Sequence, residues 1–286
     1  MKRLIINGHL HGKGDASMVR NVAVIGAGVI GGAIAKCLVQ SGKVERVYAT
    51  RRNIEALIPL ADLGVNISDS NPAACREADV VFICVKPGDT EKVLVEVKGE
   101  IQDKLVISTA AIVPLEFLES KAPGARYVRT MPNVAAMVGE SFTAYSMGSS
   151  ATLQDKAVVE TLLGTMGTCM EIEEKYIDAV TGLSGSGPAY IAIVIDALTY
   201  AGLRVGLPRD LSKLAAAQSV LGTAKMIVNG VMTPSEIEEM VTTPGGTTIE
   251  GIYEIEDGKL RTALMNAVQA ATNKCINIRH LWDRDD

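Results

Sequence analysis

Ten residues near the start, Val22-Ala23-Val24-Ile25-Gly26-Ala27-Gly28-Val29-Ile30-Gly31, restrict this chain more than any other stretch. An apolar β-branched run leads into a G-x-G-x-x-G turn, and a small-residue stretch from Gly32 to Val39 reads as a helix. Strand, glycine turn and helix in that order are the context in which such a turn binds a dinucleotide. Gly26 permits the tight turn, Gly28 lets a pyrophosphate approach the backbone, and Gly31 lets the helix pack against the strand. The helix N-terminus then offers its unpaired amides to the anion.

The end of the second strand bears on which dinucleotide. An NAD site places Asp or Glu about 20 residues beyond the glycine turn, on the ribose 2′-hydroxyl. Here Val47-Tyr48-Ala49-Thr50 runs into Arg51-Arg52-Asn53 with no carboxylate. A hydroxyl and two guanidinium groups suit a 2′-phosphate. A solvated arginine pair opening a helix would look the same, but its coincidence with the missing acid favours NADP.

At 286 residues the chain is long enough for two domains, and 48% hydrophobic content with a net charge of −5 describes a globular protein without a basic excess for nucleic acid. Cys37, Cys75, Cys84, Cys169 and Cys275 are scattered and odd in number, with no C-x-x-C. They read as reduced thiols in the cytoplasm, with neither a disulfide framework nor a metal site. Residues 1–19 contain only Leu4-Ile5-Ile6 as an apolar run, too short for a signal sequence, and read as a flexible extension or as upstream of a true start at Met18.

From Arg20 to about Glu174 strands alternate with helical stretches. The strand candidates are Asn21–Ile25, Arg46–Thr50, Val80–Val85, Leu105–Ser108, Tyr127–Thr130 and Phe142–Ser146. Continuous Val/Ile runs suit parallel strands covered on both faces, so residues 20–174 are expected to form an α/β Rossmann-type domain. Beyond it, strand signals stop, and residues 175–286 read as an all-α domain. The stretch from Ala189 to Leu203 is apolar nearly all round, with Asp196 its only charge. It is too short and interrupted for a membrane span, so it must be buried in protein. A homodimer or higher homo-oligomer interface is favoured over the central helix of a monomeric bundle, and no membrane partner is expected.

All three histidines, His9, His11 and His280, lie near the ends. A dehydrogenase of alcohols needs a group to take the hydroxyl proton, most often His. Hydride addition to a C=N bond fits the absence better, because an iminium already carries its proton. Such a reaction chiefly needs positioning and a carboxylate clamp. The segment Pro244-Gly245-Gly246-Thr247-Thr248-Ile249-Glu250 supplies a turn and a helix start whose amides suit a small carboxylate; the threonines also read as simple caps, the commoner role of such residues.

At Ser184-Gly185-Ser186-Gly187-Pro188-Ala189-Tyr190 the chain begins to resemble the pyrroline-5-carboxylate reductase family. The resemblance continues through Ala201-Gly202-Leu203-Arg204-Val205-Gly206-Leu207-Pro208 and peaks at Val241-Thr242-Thr243-Pro244-Gly245-Gly246-Thr247-Thr248-Ile249. Val85-Lys86-Pro87 and Val128-Arg129-Thr130-Met131-Pro132-Asn133 look like the same family, and the match spans Val22 to about Asn277. The resemblance implies NADPH-dependent reduction of a cyclic imino acid, 1-pyrroline-5-carboxylate, to proline, with NADH as a weaker alternative cofactor. It implies that Thr243, Gly246 and the amides of Thr247 and Thr248 hold the substrate carboxylate, with the Thr248 hydroxyl as the catalytic group on the ring nitrogen. Glu174 would lie near the substrate. The cofactor would be held by Ile25, Gly26, Ala27, Gly28, Val29, Ile30 and Gly31, by Thr50, Arg51, Arg52 and Asn71 at the adenosine end, and by Cys84, Val85, Lys86, Pro87, Thr109 and Ala110, with Ser108 just ahead of them.

Two departures stand out. Ala111-Ile112 replaces the family's usual Ala-Gly, and Val29-Ile30 replaces a polar residue followed by Met. A β-hydroxyacid dehydrogenase of similar layout would carry a Lys and, four residues on, an Asn in the helix after Pro188, which has neither. A non-catalytic NADPH sensor on the same fold is the alternative from another class.

Overall fold

The computed structural model describes residues 19–280 and 282; the rest of the 1–19 extension lies outside the described residues. Among the described residues there are eight strands: β1 (Val19–Ile25), β2 (Val44–Thr50), β3 (Asn66–Ser68), β4 (Val80–Ile83), β5 (Leu105–Ser108), β6 (Arg126–Met131), β7 (Ser141–Met147) and β8 (Gly167–Glu171). They form one sheet in the order β3-β2-β1-β4-β5-β6-β7-β8. Strands β1 to β6 are mutually parallel, β7 runs antiparallel to β6, and β8 is parallel to β7.

Between the strands lie α1 (Val29–Ser41), α2 (Ile58–Ala61), α3 (Asn71–Glu77), α4 (Pro87–Val97), α5 (Leu115–Lys121) and α6 (Leu153–Leu163). After β8 come α7 (Ile177–Val180), α8 (Gly187–Arg204), α9 (Arg209–Val228), α10 (Pro234–Val241), α11 (Thr247–Asp257) and α12 (Leu260–Arg279). The fourth strand ends at Ile83, two residues earlier than the sequence suggests, because Pro87 opens α4 behind an extended Lys86.

Side chains alternate across the sheet with the two-residue period of a strand. Val22 and Val24 join a cluster with Ile34 and Leu38 of α1 and Val159 and Leu162 of α6. Ala23 and Ile25 join the opposite one, with Leu94 and Val97 of α4 and Leu118 of α5. Both faces are therefore covered, which is why these strands read as unbroken apolar runs. The chain passes from β1 to its neighbour β2 on one side and later to β4 on the other, so a crevice opens at their carboxyl ends.

The described residues divide into two compact units, 19–188 with 268–280 and 282, and 189–267. The second unit contains no strand and is sparsely buried by its own chain: α8 buries only Thr199, α9 only Ser212 and Ala216, and α10 only Ile237. The apolar stretch expected over 189–203 lies in α8, where Ile193 is 68% and Tyr200 56% exposed. The helical run containing it is longer than the sequence reading allowed. Turns of 3₁₀ and π type extend it to 31 residues, Glu174–Arg204, of mean hydropathy 1.2. By length and composition alone that run could cross a membrane.

Candidate active site

The β1–α1 turn is built as the glycine pattern requires. Gly26 has φ of +88°, and a Cβ there would stand 2.7 Å from Val85 Cγ1. At Gly31 a Cβ would sit 2.5 Å from the Gly26 carbonyl, so only glycine lets α1 pack this close to the turn. The Gly26 and Ala27 amides donate to the Thr50 carbonyl at 3.2 and 2.8 Å, tying the turn to the end of β2. Ile25 and Ala27 are buried, whereas Gly28 and Val29 are exposed and Ile30 is half-buried. Helix α1 starts without a side-chain cap or an acid in its first turn, and nothing lies within 4 Å of a Cβ placed on Gly28. Uncapped amides beside open space fit a pyrophosphate.

At the end of β2 the residues separate into two kinds. Thr50 is buried, and its hydroxyl donates to Asn71 Oδ1 at 2.7 Å; the Asn71 amide in turn donates to Glu96 Oε2 at 3.0 Å. Arg51 and Arg52 are exposed, and Arg52 meets Asp89 Oδ2 of α4 at 3.0 Å. Sequence reasoning overlooked both carboxylates, because they arrive from a helix far along the chain.

The ends of β4 and β5 complete this face. The Cys84 amide donates to the Ile25 carbonyl at 2.8 Å, and the Thr109 amide to the Ile83 carbonyl at 2.9 Å. Burial pushes the Cys84 thiol up to about 12, against a smaller lowering by the Thr109 hydroxyl, so it is an inert neighbour of the turn. Val85 and Pro87 are half-buried, Lys86 is exposed, and Ala110 is buried with its amide bonded to the Ser108 hydroxyl. Ile112 has φ of +65°, so the loop keeps a glycine-like backbone with a β-branched side chain, a strained arrangement. A cavity of about 510 Å³ lined by Val19, Val80 and Leu105 opens at the amino ends of these strands, opposite the glycine turn.

Glu174 has partners that the sequence did not disclose. Its Oε1 accepts from the Leu115 amide at 2.8 Å and from Arg129 Nη1 at 2.9 Å. Arg129, 1% exposed, also donates to Asp178 Oδ1 at 3.2 Å, and Arg279 reaches Asp178 Oδ2 at 2.8 Å. An arginine in the middle of an apolar strand was the available signal for such a cluster.

In the helical unit, Thr243, Gly246, Thr247 and Thr248 come together at the start of α11. Gly245 has φ of +66°, the Gly246 amide donates to the Thr243 carbonyl at 3.0 Å, and Gly246 is the residue preceding the first helical turn. No side chain caps this helix. The capping alternative for Thr247 and Thr248 therefore does not hold, since both lie inside the helix. Helix α10, by contrast, starts with a reciprocal Thr233–Glu236 capping box.

Residues 174–278 match the family model for pyrroline-5-carboxylate reductase dimerisation, and residues 21–112 match the model for NADP oxidoreductase, coenzyme F420-dependent. A pyrroline-5-carboxylate reductase of Arabidopsis thaliana is 40% identical over 257 residues, covering 88% of this chain and 93% of that protein. The structure of a pyrroline-5-carboxylate reductase from Coxiella burnetii superposes with a TM-score of 0.84 at 30% identity, covering 91% of this chain and 98% of that one. That of the Plasmodium falciparum pyrroline carboxylate reductase, solved with NADP bound, gives 0.80 at 28% identity, covering 90% and 97%. The glycine turn of the α/β unit, the uncapped helix start of the helical unit and this likeness along nearly the whole length agree: the chain belongs to the pyrroline-5-carboxylate reductase family.

Proposed function

We propose that this chain reduces 1-pyrroline-5-carboxylate to L-proline with NADPH, the last step of proline biosynthesis. The observation that carries the reading is that its likeness to reductases named for this substrate runs through both units, 257 residues at 40% identity. NADPH, when bound, supplies the hydride that adds to C5 of the ring C=N bond. The backbone from Ile25 to Gly31 holds the pyrophosphate at the uncapped start of α1. Arg51 and Arg52 take the 2′-phosphate, and Asn71, fixed between Thr50 and Glu96, adjoins the adenosine. Cys84, Val85, Lys86, Pro87, Thr109 and Ala110 line the nicotinamide end, with NADH as a weaker substitute cofactor.

The substrate carboxylate is held by Thr243, Gly246 and the free amides of Thr247 and Thr248, where the helix dipole favours an anion. The Thr248 hydroxyl hydrogen-bonds the ring nitrogen. A protonated imine brings its own proton, so the residues are needed mainly for orientation, consistent with no histidine between His11 and His280. Glu174 acts through Arg129 and the Leu115 amide, as a positioning residue.

The exposed apolar circumference of α8, with Ile191 and Leu198 on one side and Ile193 and Tyr200 on the other, is a homodimer contact rather than a membrane span, since it falls within the dimerisation match. Five free cysteines and the acidic net charge favour a cytoplasmic protein without nucleic-acid partners. The test is NADPH oxidation with a panel of five- and six-membered cyclic imino acids. Turnover highest with 1-pyrroline-5-carboxylate, and proline as product, supports the reading. NADPH binding without turnover of any member would favour a sensor.

A further inference from the structure

In a typical NAD site an acid at the end of the second strand recognises the ribose; here the acid is missing from β2 but not from its surroundings. Asp89, in the first turn of α4, sets its carboxylate 3.0 Å from Arg52, one of the guanidinium groups assigned above to the 2′-phosphate. Nearby, the same helix sends Glu96 to Asn71 at 3.0 Å, so both adenosine-end contacts of α4 are made by carboxylates. The Arg52 side chain is 84% exposed and that of Asp89 40%, so the pair is open to an incoming ligand rather than locked in the core.

We propose that Asp89 is a specificity-determining residue that weakens the preference for NADPH over NADH by competing with the 2′-phosphate for Arg52. The inference rests on the NADPH reading above. A 2′-phosphate brings about two negative charges to a guanidinium that already holds one carboxylate. Arg52 must release Asp89, or the phosphate must accept a like charge across the same fork. An unphosphorylated ribose imposes neither demand, and Asp89 can stay on Arg52. The position on α4 matters, because the first turn of a helix favours a carboxylate, so Asp89 is suited to its place without Arg52. Exposed charge pairs of this kind change an equilibrium by about two- to fivefold, and salt screens them.

The test measures equilibrium binding of two fragments, 2′,5′-ADP and 5′-AMP, to the intact protein by calorimetry, without turnover. Asp89→Asn is expected to tighten 2′,5′-ADP by about two- to fivefold and to leave 5′-AMP unchanged, with the difference shrinking at about 0.5 M salt. Combined with Arg52→Ala, the gain from Asp89→Asn should disappear, because the competition needs the guanidinium. If the wild type favours 2′,5′-ADP and Asp89→Asn leaves the ratio as it was, the proposal is overturned while the NADPH reading stands. If neither protein distinguishes the fragments, both fall. Should only Asp89→Asn distinguish them, Asp89 suppresses the phosphate site entirely, which upholds the proposal in its strongest form.

Discussion

Replacing Arg129 with Met should destabilise the protein severely although Arg129 touches no proposed ligand. The side chain is 1% exposed and donates to Glu174 and Asp178, at 2.9 and 3.2 Å. Met fills much of the volume but leaves Asp178, itself 2% exposed, with a buried charge. Breaking such a pair from one side costs about 3–5 kcal/mol. Two features pull the estimate down: Arg279 still reaches Asp178 at 2.8 Å, and the Glu174 side chain is 31% exposed and can turn to water. A loss of about 3 kcal/mol results, near the lower end of that range. At roughly 2–4 °C per kcal/mol for a chain of this size, Tm falls by about 6–12 °C. Thermal unfolding followed by circular dichroism measures it. The double variant Arg129→Met with Asp178→Asn should recover part of the loss, because the stranded charge is gone. A single variant within about 1 kcal/mol of wild type would refute the claim that Asp178 depends on Arg129 to compensate its buried carboxylate.

Other expectations follow from single features. Ile112 holds a left-handed backbone, so Ile112→Gly should be more stable than Ile112→Ala by about 1 kcal/mol, and the opposite order in urea unfolding would show that the loop is unstrained. Burial pushes the Asp155 carboxyl upward, but Arg126 and the Thr152 amide and hydroxyl outweigh it and hold the group below its ordinary 3.8. Its contribution is therefore full above that value and lost as pH falls through the folded pKa; the stability gap between wild type and Asp155→Asn should close below about pH 4, and a gap constant from pH 6 to 3 would contradict this. Ile193→Asp should leave mainly monomer in sedimentation velocity, since it places a charge on the α8 face; an intact dimer would move the contact elsewhere. Thr248→Ala should lower kcat about tenfold with NADPH affinity nearly unchanged, and equal turnover would remove the hydroxyl from the chemistry.

The strands that the sequence disclosed are the ones covered on both faces. Val22 to Ile25 and Val80 to Ile83 are apolar without interruption because each face meets helices. The missed strands, β3 and β8, are the two edges of the sheet. Asn66-Ile67-Ser68 is three residues long, and Gly167 to Glu171 has no buried residue, so neither leaves a hydrophobic signature. The glycine turn was legible because its backbone contacts tolerate no side chain at Gly26 or Gly31. Partnerships between side chains were not. Nothing local ties Arg52 to Asp89, Thr50 to Asn71, or Arg129 to Glu174 and Asp178, and each pair is closed by the fold across 21 to 49 positions or, for Arg52, by α4 meeting the β2 end. The apolar circumference of α8 was plain in the sequence, while its exposure among the described residues was not.

The central claim is that hydride passes from the nicotinamide to C5 of a pyrroline ring, and isotope transfer tests it most directly. NADPH carrying deuterium at both C4 positions is incubated with 1-pyrroline-5-carboxylate and the purified protein, and the product is read by mass spectrometry and proton NMR. The expected product is L-proline heavier by one mass unit, with all the label at C5. Unlabelled proline, label at another carbon, or no proline formed while NADPH binds would contradict it.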